Sequence, residues 1–277
     1  ITGCFLRVAR PGGADPTKPV LDWVALYAQD ADGYENLCKL VSASHLDRPS
    51  ELDAHVAMDM LGKHSEGLTG GGEGALARLI AEEQQSEAEA YLSLLQQYFP
   101  GRLYIELSRR EDPVEMAAES GLIALAMDRD IPLVATNPSC FSEPDFHEAH
   151  DAMKCIAQSA YVENNEREKP SKHLWMKSAL VMEDLFSDIP EALQNTLVIA
   201  QRCAFSPPKR DPILPSLAGD LAGEIEQLRR DATAGLERRL ELLQLSDEAE
   251  RKIYFDRLAF ELDVIVSMGF PGYFLIV

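Results

Sequence analysis

The chain has 277 residues, 46% of them hydrophobic, which is enough for one large packed domain or one domain and part of another. It carries 46 Asp and Glu against 26 Lys and Arg, a net charge of −20, so most of this surface is unsuited to lying along a phosphate backbone. The acidity suits solubility or a basic protein partner.

Residues 2–8 and 20–28 read as strands, and 33–45 as a helix. Residues 67–74 read as a glycine-rich turn leading into one long helix over 75–98, whose charged face carries Glu82, Glu83, Glu87 and Glu89. A strand is expected at 103–107, a helix at 115–129 and a buried strand at 131–136, which ends at turn-forming Asn137 and Pro138. Ser142, with Asp145 three residues on, is placed to cap the next helix, and Pro144 falls in its first turn. Such alternation implies α/β architecture, a parallel sheet or barrel wrapped by helices. Right-handed crossovers then put the loops after Leu107 and Thr136 on one rim, where ligand-holding side chains gather.

Residues 163–172 are charged and read as a mobile loop. Beyond residue 183 the pattern is helical. Asp188 is placed to cap a helix that has Pro190 in its first turn and runs to about residue 203. Pro207, Pro208, Pro212 and Pro215 put a domain boundary at 206–217. Helices at 217–243 and 247–268 follow, then a terminal strand at 273–277. The chain starts without Met inside a strand and stops inside an apolar run, so both ends read as cuts within a longer protein.

Five scattered cysteines (Cys4, Cys38, Cys140, Cys155 and Cys203) form no Cys-x-x-Cys pair, which argues for free thiols in a reducing cytosol. Cys38, Cys155 and Cys203 lie in apolar helical contexts and are expected in the core. No apolar run reaches the roughly 18 residues of a membrane span, and the first ten residues are not a secretion signal. His147 and His150 in the run His-Glu-Ala-His stand three apart and not the four of a zincin HExxH helix, so exposed or capping roles are expected. The stretch 70–74 lacks the Lys-Ser/Thr of a phosphate loop, and its Glu73 repels phosphate. Glu106 is expected to pair with Arg109 or Arg110.

Several strings occur in a telling order. They are Ile1-Thr2-Gly3-Cys4, Gly33-Tyr34-Glu35-Asn36-Leu37, Gly67-Leu68-Thr69-Gly70-Gly71, Tyr104-Ile105-Glu106-Leu107, Val134-Ala135-Thr136-Asn137, Glu148-Ala149-His150-Asp151 and the closing Met268-Gly269-Phe270-Pro271-Gly272-Tyr273. Together they resemble the polymerase and histidinol phosphatase (PHP) domain of the bacterial C-family replicative polymerases, the DNA polymerase III alpha subunits. The resemblance implies a distorted (β/α) PHP-type barrel lacking its first units over 1–205, a Pro-rich linker at 206–217 and the α-helical start of the polymerase palm at 218–277.

It also implies a lost metal site. Such barrels hold divalent metals on His, Asp, Glu and Cys, and those positions fall here on Phe5, Trp23, Gly71, Arg110, Pro138 and Cys140, with Glu106 and His150 as remnants. Only Cys140 among the six retains a metal-binding side chain. The expectation is a metal-free domain with no catalytic residue, in which Phe5 and Trp23 fill the former pocket. The parent polymerase would use Mg2+ on aspartates beyond Val277, and would meet DNA, a sliding clamp, a clamp loader and a proofreading exonuclease subunit that docks on this domain. The rival classes are a PHP metal-dependent phosphoesterase, which needs intact ligands, and an orphan acidic interaction module.

Overall fold

The computed structural model describes residues 1–11, 18–48, 51–71, 74–164, 166–167, 169–210 and 214–277. They divide into two compact units, Ile1–Pro207 and Pro208–Val277.

The first unit is a mixed α/β fold built on one six-stranded sheet. Its strands are β1 (Gly3–Ala9), β2 (Leu21–Ala28), β3 (Val56–Ala57), β4 (Leu68–Gly71), β5 (Leu103–Leu107) and β6 (Leu133–Ala135), in the order β3-β1-β2-β4-β5-β6. β4, β5 and β6 run parallel, as the alternation with helices leads one to expect. β2 runs antiparallel to both β1 and β4, so the sheet is mixed and not parallel throughout. The link from β1 to β2 is too short for a helical crossover, which leaves antiparallel pairing as the available geometry.

The helices are α1 (Ala31–Leu46), α2 (Met58–Lys63), α3 (Ala75–Ala81), α4 (Gln85–Tyr98), α5 (Pro113–Asp128), α6 (His147–Ala157), α7 (Ala179–Leu185) and α8 (Pro190–Arg202). Local chemistry sets several starts. Asp30 accepts the Gly33 N–H at 2.8 Å ahead of α1, and Asp112 accepts the Val114 N–H at 2.8 Å ahead of α5, which opens on Pro113. Strand alternation turns Leu6, Val8, Val24 and Leu26 toward the helices, where they join Leu40, Leu76 and Phe99 in the core.

Several expectations need correction. Leu68–Gly71 is not a turn but strand β4, because its backbone is paired on both sides, with β2 and β5. A side chain at Gly70 would run into the Phe99 ring, so the missing Cβ is what admits that ring. Gly72 and Glu73, the rest of the supposed phosphate cradle, lie outside the described residues. The long helix over 75–98 is two helices. Glu83 takes a left-handed φ of 59° and the Gln84 N–H turns back to the Leu79 carbonyl at 2.8 Å, which ends α3.

Ser142 caps nothing: a one-turn 3-10 helix, Pro144–Phe146, precedes α6 and has Glu143 before it. Asp188 is drawn to Arg109 instead of capping α8, whose Pro190 does stand in the first turn. The charged segment 163–172 is tied down at its described residues. Arg167 binds both carboxylate oxygens of Asp151 at 2.5 Å, and the Ser171 hydroxyl donates to the Arg110 carbonyl at 2.9 Å. Cys155 and Cys203 are buried as expected, but Cys38 is exposed on α1.

The second unit is helical, with α9 (Leu221–Leu242), α10 (Glu248–Ser267) and α11 (Pro271–Ile276). Asp220 and Asp247 cap the first two. The expected terminal strand is α11. A short apolar run has no periodicity to separate strand from helix, and Pro271 in the first turn favours the helix.

Candidate functional site

Because β2 is antiparallel to both β1 and β4, β1 points the same way as β4, β5 and β6. The register then brings distant residues together. Phe5 stands opposite Ala25, Ala25 opposite Gly71, and Gly71 opposite Tyr104, so Phe5 and Gly71 share one row across the sheet. Trp23 stands opposite Arg7, two residues nearer the rim. Arg110 follows the end of β5, and Pro138 and Cys140 follow the end of β6.

Phe5 and Trp23 stay open to solvent and are not packed into a closed pocket. They are 56% and 45% exposed, since the alternation that buries Leu6, Val8 and Val24 turns these two to the other face of the sheet. The Arg7 guanidinium lies 4.6 Å from the Trp23 ring centroid and pairs with Asp53 at 2.5 Å. On the same face a cleft of about 340 Å³ is lined by Cys4, Phe5, Tyr27, Glu106, Thr136 and Thr196, among others. Glu106 is only 8% exposed there and is not a free carboxylate. The Tyr27 phenol is pushed up to about 12, first by burial and then by the charges of Glu106 and Cys203.

Arg109 and Arg110, the candidate partners of Glu106, each bind a carboxylate of α5. Arg109 bonds Glu119 at 2.7 Å and Asp188 at 2.6 Å, donates to the Leu185 carbonyl, and lies over the Phe186 ring. Its guanidinium is held above its ordinary pKa chiefly by Asp188, and Asp188 is held below the usual carboxylate range by Arg109. Arg110 bonds Glu115 through Nε at 2.6 Å.

The loop after β6 is clasped by residues 174–177. Asn137 donates to the Trp175 carbonyl at 3.2 Å and accepts the Lys177 N–H at 2.8 Å, while the Cys140 N–H donates to the Leu174 carbonyl at 2.7 Å. Lys177 reaches back to the His173 carbonyl at 2.6 Å, and burial, then Arg110, lowers its pKa. The sequence shows Asn137 only as a turn former; nothing local marks a partner some forty positions on. His147 Nε2 lies 3.0 Å from the Pro170 carbonyl, so that nitrogen carries the proton, and His150 meets Phe141 at a tilt of 42° with ring centroids 5.4 Å apart.

This donor set does not suit a metal cluster. Phe5, Trp23, Gly71 and Pro138 carry no donor atom on their side chains, and Arg110 brings a fixed positive charge. Cys140 is exposed on the clasped loop, whereas Glu106 lies in the cleft. Among the described residues no group of three or more His, Cys, Asp or Glu is arranged to hold a metal ion.

A family model of the PHP domain matches residues 1–110. The DNA polymerase III subunit alpha of Caulobacter vibrioides is 45% identical over a match that takes in 100% of this chain and 24% of that protein. Those of Rickettsia bellii and Pseudomonas aeruginosa are each 36% identical, over 92% and 93% of this chain and 22% and 23% of those proteins. The chain therefore spans about a quarter of the length of the curated relatives it matches. Among the described residues no helix is long and apolar enough to cross a membrane. The chain is a PHP-domain-bearing relative of the bacterial DNA polymerase III alpha subunits, matching one segment of those much longer proteins.

Proposed function

We propose that this chain is a segment of a cytoplasmic replicative DNA-directed DNA polymerase in which the PHP domain supports the polymerase and docks its proofreading exonuclease, without hydrolysing phosphoesters itself. The observation that carries the reading is the row of side chains at the expected ligand positions. Phe5 and Gly71 share one register row and Trp23 flanks it, and none of the three offers a donor atom. Water activation by clustered metals needs several anionic or imidazole ligands converging on one point. With that chemistry disfavoured, the parent would need a separate editor, and an acidic surface of net charge −20 suits recognition of a basic protein.

The parent's nucleotidyl transfer, its Mg2+, and its dealings with DNA, sliding clamp and clamp loader belong on this reading to sequence outside the present segment. The residues here act mechanically. Arg109 joins the end of β5 to α5 and to the α7–α8 corner, and the Asn137–Lys177 clasp fixes the loop after β6. A PHP phosphoesterase is disfavoured by the same side chains.

Biolayer interferometry between the chain and the cognate proofreading exonuclease subunit tests the proposal. Saturable binding is expected, with no hydrolysis of bis-p-nitrophenyl phosphate in Mn2+ or Zn2+ and no nucleotide incorporation on primed template. Absence of binding refutes the docking role, and metal-dependent hydrolysis refutes the loss of chemistry.

A further inference from the structure

A second cleft, of about 330 Å³, lies where the end of the β1–β2 hairpin meets the α3–α4 corner, and it shares no lining residue with the cleft that holds Glu106. On the hairpin side the Arg10 N–H donates to the Val20 carbonyl at 2.9 Å. On the helical side Glu87, Ala90, Tyr91 and Leu94 follow one another at helical spacing and so share one face of α4. Pro11, Val20 and Leu79 complete a largely apolar lining. The volume falls at the lower end of small-molecule clefts, which run from about 300 to 1,000 Å³.

Two polar groups meet this apolar space with hydrogen-bonding capacity unused. Tyr91 is only 5% exposed, and among the described residues its hydroxyl has no hydrogen-bond partner. Buried tyrosines ordinarily find one, so an orphan of this kind calls for an explanation. The fully enclosed orphans among the described residues are Arg48 Nε and Arg167 Nε, so the Tyr91 oxygen is not sealed in, and the space beside it is the cleft. Burial pushes its pKa up to about 12 against the opposing charges of Arg10 and Arg78, so at neutral pH it keeps its proton and can donate.

Arg10 is the second group. Asp22 occupies its Nε and Nη2, and Nη1 has no partner among the described residues. Because Asp22 also serves Arg78, two guanidinium charges face one carboxylate and one positive charge is left over. Glu87 also lines the cleft, but it is exposed and its carboxylate accepts from the Ser86 hydroxyl at 2.8 Å. Its charge disfavours a ligand with more than one negative charge. A phosphate would bring that second charge and leave the apolar walls bare.

We infer that this cleft binds a small monocarboxylate with an apolar body, its carboxylate accepting from Tyr91 Oη and Arg10 Nη1 and its body lying along Val20, Leu79 and Leu94.

Octanoate is the probe, titrated into the 277-residue chain by isothermal calorimetry beside its neutral analogue octanamide and inorganic phosphate. Octanoate should occupy one site per chain with a Kd below about 1 mM, and the other two should bind at least about tenfold more weakly. Tyr91→Phe removes the hydroxyl alone and should weaken octanoate about tenfold. Since that hydroxyl has no partner to lose, the same variant should melt at the parent's temperature or above it. Ala90→Trp, at an exposed position of the wall, should fill the cleft and abolish binding, whereas Gln97→Trp, exposed on α4 outside the lining, should bind as the parent does. The absence of saturable octanoate binding overturns the inference, as does binding that either Tyr91→Phe or Ala90→Trp leaves unchanged. Octanamide or phosphate binding as tightly as octanoate overturns the carboxylate class. A lowered melting temperature in Tyr91→Phe would reveal a structural partner for the hydroxyl and overturn it as well.

Discussion

Replacing Asp22 with leucine removes a carboxylate that two arginines share inside the first unit. The Asp22 side chain is 0% exposed; Arg10 binds it through Nε at 2.9 Å and Nη2 at 3.2 Å, and Arg78, from α3, shares Oδ1 with Arg10 Nη2. Together they fasten the end of β1 and the start of α3 to β2, beside Trp23. Removing one partner of a buried ion pair costs about 3–5 kcal/mol, because the remaining charge is stranded. Here the arginine side chains are 18% and 40% exposed and can recover part of their hydration. The expected loss is therefore about 2–3 kcal/mol. For a unit of this size, at about 2–4 °C per kcal/mol, that lowers Tm by about 5–10 °C. Urea unfolding followed by circular dichroism measures it. A triple variant that also carries Arg10→Met and Arg78→Met should recover most of the loss, since no cation is then left without its counter-ion. A stability within about 0.5 kcal/mol of the parent for Asp22→Leu alone would refute the reasoning.

Arg109→Ala frees Glu119 and Asp188 together and uncovers Phe186, and should cost about 1–3 kcal/mol in the same assay, whereas Arg109→Lys should recover only part because it cannot reproduce the fork. Gly33→Ala should destabilise by about 1–3 kcal/mol, since its Cβ would strike the Gly67 carbonyl where the start of α1 touches the chain leading into β4; urea titration would show it. Tyr27 and Tyr91 are both pushed up to about 12 by burial, so the folded state holds protons that the unfolded chain releases near pH 10. Their contribution is complete below about pH 10 and is lost as pH rises through about 12, which thermal melts across that window would reveal. Asp151 is held below the usual carboxylate range by Arg167, so its contribution is complete above about pH 4 and lost on acidification. Amide exchange in 163–172 should quicken there first.

What the sequence disclosed and what it hid follow from the range of the forces involved. β5 and α5 are legible because a short apolar run and a helical period are local signals. β4 is hidden because glycines signal turns locally, while pairing with β2 and β5 decides the outcome from a distance. The break between α3 and α4 turns on a single left-handed residue, Glu83, which no residue preference announces. The resemblance puts Phe5 and Trp23 at expected ligand positions. That they face outward depends on which side of the sheet the helices cover. The clasp of Asn137 by Trp175 and Lys177 joins segments that only the folded chain brings together.

The most direct test of a PHP domain without its metal chemistry is equilibrium titration of the purified chain with Mn2+ and Zn2+, read by isothermal calorimetry and by elemental analysis after gel filtration. No stoichiometric uptake is expected of a rim built from Phe5, Trp23, Gly71, Arg110 and Pro138. Retention of one or more ions per chain, lost in Cys140→Ser or Glu106→Gln, would contradict it.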